Sequence, residues 1–150
     1  MKKKIFYLLI ILTTGIILGR KIYLATKNIE VTFNEENTYY FLQEGVYSSK
    51  QIMEENIKNM NMKVVDNLDN KYYVYLGITR DENIAKRLKT IYEEDGYQIY
   101  IKEKTLSNDE FLNNVTQFDL LINNTTSTKE ILTIEEVVLA NYEEIIKKSN

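Results

Sequence analysis

Twice along this chain a tyrosine-rich stretch ends near a glycine and runs into an amphipathic segment: "YYFLQEGVYSSKQIMEENIKNMNMKVV" from Tyr39 and "YYVYLGITRDENIAKRLKTIYEEDGYQIYI" from Tyr72. Each unit reads strand, glycine, helix, strand, and neither can bury the apolar face of two strands by itself. In the first unit Ser48-x-x-Gln51 forms a capping box ahead of Ile52, Met53, Ile57 and Met60, which fall on one side of a helix. In the second, Thr79-x-x-Glu82 precedes Ile84, Ala85, Leu88 and Ile91 in the same way. Gly96 stands where a left-handed helix end needs a residue without a side-chain penalty, and "NLDN" (Asn67 to Asn70) supplies the turn between the units. Gly45 and Gly77 recur at the strand ends, where a sharp turn into the helix would require positive φ. Together the units predict an α+β domain of order β-α-β-β-α-β, a four-stranded antiparallel sheet with both helices on one face.

Strand alternation divides the sheet residues into two sets. Leu42, Val74, Leu76, Ile99 and Ile101 should face the helices, while Phe41, Gln43, Tyr73, Tyr75, Gln98 and Tyr100 point away. An open face of tyrosines and amides, nearly free of charge, suits a neutral sugar polymer, because rings cover pyranose faces and amides bond hydroxyls. The same tyrosines also fit β-formers on a sheet covered by the rest of the chain.

The order of these features resembles the SPOR domain, the sporulation-related repeat of bacterial envelope proteins. The resemblance runs from about Tyr39 to Lys104 and rests on Gln43-Glu44-Gly45, Tyr47, Ser48 and Ser49, then Gly77 and "DGYQIYI" from Asp95. It implies an RNP-like, ferredoxin-like fold whose open sheet face and adjoining loop bind peptidoglycan glycan strands stripped of their stem peptides, without catalysis. By that resemblance the glycan-binding residues are Phe41, Gln43, Tyr47, Ser48, Ser49, Tyr73, Tyr75, Gln98 and Tyr100, and the setting is cell division or sporulation, with proteins of those assemblies as further partners. Glu44 stands where the family places a core aliphatic residue. The alternative is a protein-interaction scaffold of the cell envelope that keeps this fold and binds a partner protein.

The chain begins "MKKK" and continues with fifteen uncharged residues, Ile5 to Gly19. A helix of that length rises ~22 Å, short of the ~30 Å hydrocarbon core. Snorkelling of Arg20 and Lys21 adds Ile22 to Ala25 and brings the span to roughly 20 residues. A cleaved secretory signal is the rival reading, but no A-x-A-like site follows. The expectation is a single-pass membrane helix with the remainder outside the cell membrane. Of 19 basic residues, six (Lys2, Lys3, Lys4, Arg20, Lys21 and Lys27) lie in this segment, leaving 13 against 22 acidic residues, a balance of −9. Such a remainder is a poor partner for nucleic acid. The chain has no Cys and no His, which removes disulfides, thiolate nucleophiles, Cys/His metal sites and histidine acid–base catalysis. No cofactor, metal site or catalytic residue is expected.

Beyond Lys104 the pattern turns helical. Ser107-x-x-Glu110 is a third capping box ahead of Phe111, Leu112, Val115, Phe118 and Ile122, and "NNTTST" breaks the helix. A last helix, about Lys129 to Lys148, carries Ile131, Leu132, Val138, Tyr142 and Ile145 on one side, with Glu135, Glu136, Glu143 and Glu144 expected outward. These two helices either dock on the domain or form an interface for another envelope protein. The expected organisation is an anchor at 1–27, a linker at 28–37, a SPOR-like domain at 38–104 and a helical extension at 105–150.

Overall fold

Type I′ geometry at the "NLDN" turn brings the two strands that flank it together: Asp69 and Asn70 have φ of 52° and 59°, and Leu68 pairs with Lys71 across them. The computed structural model describes residues 37–149, so the expected anchor and almost all of the linker lie outside the described residues. The elements are β1 (Thr38–Tyr47), α1 (Lys50–Ile57), β2 (Val64–Leu68), β3 (Lys71–Thr79), α2 (Glu82–Glu94), β4 (Tyr100–Thr105), α3 (Asp109–Asn123) and α4 (Thr128–Ser149). The fold is α+β, and its sheet is antiparallel with strand order β2-β3-β1-β4. Among the described residues no helix is long and apolar enough to cross a membrane.

The three helices expected to start at capping boxes have their N-caps one or two residues beyond the expected Ser48, Thr79 and Ser107. Ser49, Asp81 and Asn108 are the N-caps, and their side chains accept from Ile52 N, from Asn83 N and Ile84 N, and from Phe111 N. In each case another good cap lies just downstream, and the helix begins where the apolar stripe meets the core. The shift has a consequence in α1, where Met53 and Ile57 are buried with the following Met60, whereas Ile52 is 54% exposed rather than inward. Gly96 closes α2 at φ +90°, with Gly96 N donating to Glu93 O and Tyr97 N to Tyr92 O.

The β1–β3 register breaks twice. Leu42 pairs with Gly77, Gln43 with Tyr75, and Gly45 with Val74, so Leu76 and Glu44 are the extra residues of two bulges. The second bulge explains Glu44: taken out of the alternation, it is half-buried and accepts from Tyr47 Oη at 2.9 Å instead of entering the core. Neither Gly45 nor Gly77 has positive φ. Crowding accounts for both: a Cβ on Gly45 would stand 2.8 Å from the Tyr47 ring, and one on Gly77 would stand 3.1 Å from Glu135 Oε2 and 3.3 Å from Leu42 Cδ1.

Two cores flank the sheet. Leu42, Val74, Leu76 and Ile99 pack with Met53 and Ile57 of α1 and Ile84, Ala85, Leu88 and Tyr92 of α2, and half-buried Ile101 joins them. On the opposite side Tyr39, Phe41, Tyr75 and Ile78 pack with Phe111 and Val115 of α3 and Val138, Leu139 and Tyr142 of α4. The C-terminal helices thus belong to the body of the domain. Helix α4 serves both cores, since Ile131 lies in the first and Tyr142 in the second. It does so by passing the edge of β3, which is open because β2 begins opposite Tyr75 and leaves the rest of β3 without a neighbour on that side.

Candidate functional site

The face expected to hold sugar carries the expected residues, but α3 and α4 cover its centre. Phe41 of β1 and Tyr75 of β3, on neighbouring strands, are both 0% exposed. Their rings meet edge to face at 4.9 Å, and Tyr142 of α4 closes over Phe41 at 5.2 Å and Tyr75 at 6.5 Å. Phe111 of α3 stacks on Tyr39 at 5.4 Å. Burial pushes the phenols of Tyr75 and Tyr142 well above the ordinary range. An amphipathic helix pair carrying aromatics had two outlets, solvent or this face, and the hydrophobic effect selects the face.

Lys104 completes the cover from within the sheet. Its Nζ lies 4.5 to 5.4 Å from the ring centroids of Tyr75, Phe41 and Tyr73 and donates to Tyr75 Oη. Partial burial lowers the pKa of its ammonium, and the Asp66 carboxylate works against that shift. Asp66 in turn accepts from Tyr142 Oη at 3.0 Å, tying α4 to β2.

The remaining expected site residues are scattered. Gln43 is nearly buried between Tyr75 and its other cross-strand neighbour, Tyr100. Tyr73 is half-buried and stacks on Tyr75 at 6.4 Å. Tyr100 is 47% exposed at the start of the edge strand β4, with Lys102 6.0 Å from its ring centroid, and Gln98 is exposed in the loop before that strand. Tyr47 belongs to the opposite side, against the core beneath α1 and α2; burial and its hydrogen bond to Glu44 push its phenol up to about 12. Ser48 is exposed in the strand–helix turn, and Ser49 is engaged as the N-cap of α1. The nine residues therefore do not form one surface.

Alternation could not foresee the polar fastening of the cover. Asp119 of α3 accepts from Thr79 Oγ1 at 2.6 Å and from Arg80 N at 2.8 Å, while Glu135 of α4 accepts from Ile78 N at 3.0 Å. Ile78 on the edge of β3 that β2 leaves open and Arg80 just past its end are alternate residues, so their N–H groups point to the same side. Two carboxyls thus take the place of a neighbouring strand. Glu135 was expected outward; it is fully buried, because the helix row Ile131, Glu135, Val138 and Tyr142 faces the sheet as a unit. Burial pushes the Asp119 carboxyl up to about 7, although its hydrogen bonds to Thr79 and Arg80 oppose the shift, and it raises Glu135 well above the carboxylate range. Arg87 of α2 donates to the carbonyls of Ile122 and Thr125, satisfying the end of α3.

Several large apolar side chains remain exposed. Val46 (43% exposed) lies where β1 leaves the sheet, Leu68 (52%) beside the β2–β3 turn, Ile52 in the first turn of α1, and Tyr100 where β4 begins. Antiparallel pairing brings Val46 and Leu68 to one end and one face of the sheet, with Val46 opposite Tyr73 and Leu68 opposite Lys71, whereas Tyr100 lies on the other edge strand and Ile52 on the helix beneath. Among the described residues no group of His, Cys, Asp or Glu is arranged to hold a metal ion. Comparison with known proteins finds no matching family model, no similar curated protein and no similar solved structure.

Proposed function

We propose that this chain is a non-catalytic envelope protein, held to the cell membrane by residues 1–27, whose SPOR-like domain lies outside and binds a partner protein rather than a glycan strand along its sheet. Burial of Phe41 and Tyr75 beneath α3 and α4 carries this reading: the rings that would stack on sugars are already in contact with Tyr142 and Lys104. Val46 and Leu68, exposed at one end and on one face of the sheet, offer the contact surface, since neighbouring exposed apolar groups mark interaction sites. Division or sporulation assemblies are the setting the SPOR resemblance suggests.

Glycan binding is the second reading, favoured by one observation: Tyr100 remains exposed beside Gln43, with Gln98 and Tyr73 nearby in the chain and in the sheet. Co-sedimentation of the full-length protein with purified sacculi separates the two. The proposal expects no sedimentation above that of an unrelated protein, and a photocrosslinking residue at Leu68 or Val46 in living cells should yield a discrete protein adduct that one at Lys86 does not. Sedimentation abolished by Tyr100→Ala would overturn it in favour of glycan.

A further inference from the structure

Glu135 is a buried acid with an incomplete set of partners. Its side chain is 0% exposed, Oε2 accepts one hydrogen bond from Ile78 N, and Oε1 has none. A buried carboxylate is stable when two or three donors converge on it, and one backbone N–H falls short of that. A neutral carboxylic acid in the same place has much less to lose. Gly77 fits this arrangement, because a Cβ there would approach Oε2 to 3.1 Å, so the close passage of the carboxyl across the strand depends on the missing side chain.

The groups facing Glu135 favour its proton. Asp119 of α3 lies on the same strand edge and, when ionised, repels a second negative charge; Tyr92 of α2 faces it from beneath the sheet and spends its own proton on Leu76 O at 2.6 Å. Arg80 and Asp81, at the end of β3 and the start of α2, face Asp119, which already takes the N–H of Arg80 and the hydroxyl of Thr79. Asp119 therefore has the donors an ionised carboxylate needs, and Glu135 does not.

We infer that Glu135 is a proton-dependent latch: docked as the neutral acid, it holds α4 across the open edge of β3, and its ionisation loosens the C-terminal helix pair and uncovers the aromatic face. Coupling to the face is direct, because Ile131, Val138 and Tyr142 lie four residues before, three after and seven after Glu135, on the same side of α4. A folded-state pKa raised above the unfolded value makes the docked state bind more protons, so docking is strongest at low pH and weakens as pH rises. The effect extends to the ring of Tyr142 over Phe41.

Hydrogen exchange of the full-length protein, corrected for intrinsic exchange rates, tests this. Because Asp119 titrates on the same strand edge, the comparison is made in an Asp119→Asn background: between about pH 6 and about pH 9 the amides of Ile78 and α4 should lose at least tenfold in protection while those of α1 hold steady, and adding Glu135→Gln, which keeps an acceptor for Ile78 N, should remove most of that loss. An undiminished pH dependence in the double variant overturns the latch. Should that variant not fold, the side-chain carboxyl ¹³C titration of Glu135 in the unaltered protein decides: a midpoint above the ordinary carboxylate range is expected, and a midpoint within that range overturns the latch.

Discussion

Truncating Phe41 to alanine measures whether the sheet face is covered. On an open face the loss of one ring would cost little, because most of its surface would be in water in both states. Here the ring is 0% exposed and touches Tyr75 at 4.9 Å and Tyr142 at 5.2 Å, with the Lys104 ammonium 5.0 Å from its centroid. Buried Phe→Ala substitutions cost about 3–5 kcal/mol, of which each aromatic pair accounts for roughly 0.5–1.5 kcal/mol beyond area burial. The expected loss for Phe41→Ala is therefore about 4 kcal/mol. It should be read from urea unfolding followed by far-ultraviolet circular dichroism, with the midpoint falling and the slope unchanged. Tyr142→Ala and the double variant complete a cycle, and residues in contact should couple by about 0.5–3 kcal/mol. A loss below about 1 kcal/mol with additive behaviour in the cycle would refute the covered face, and with it the argument that the rings are unavailable to sugar.

Gly77→Val should destabilise the protein by roughly 3 kcal/mol, since added methyls meet Glu135 Oε2, Leu42 and Leu88; thermal melts that match the unaltered protein would refute the crowding. Gly96→Ala has free space for its Cβ but a φ of +90°, so about 1 kcal/mol should be lost through backbone strain alone, seen as a lower urea midpoint. Asn108→Ala removes the cap on Phe111 N and should cost about 1 kcal/mol, restored by Asn108→Ser. The Asp119 carboxyl, raised to about 7 by burial, should titrate near neutrality in carboxyl NMR; because the folded form binds the proton more tightly, its contribution to stability is full at low pH and is lost as pH rises through 7, by at most about 4 kcal/mol. A carboxyl midpoint near 4 would refute that burial.

The tandem pattern in the sequence was sufficient for the sheet and its first two helices. Period-two alternation assigned Leu42, Val74 and Leu76 to the helix side and Phe41, Tyr73 and Tyr75 to the other, and "NLDN" and Gly96 marked their turns, because these signals are local and act through backbone geometry. Tertiary structure alone decided what covers the second face. The stripe on α3 and α4 shows that those helices bury one side, but a stripe carries no address, and only the shape of the unfilled aromatic face supplied one. Glu135 was unreadable for the same reason: beside Glu136 it looks like a solvated pair, and only the edge of β3 that β2 leaves unpaired turns it into a buried backbone cap. Outward-pointing residues are a property of a strand, whereas an open binding face is a property of everything the chain packs against it.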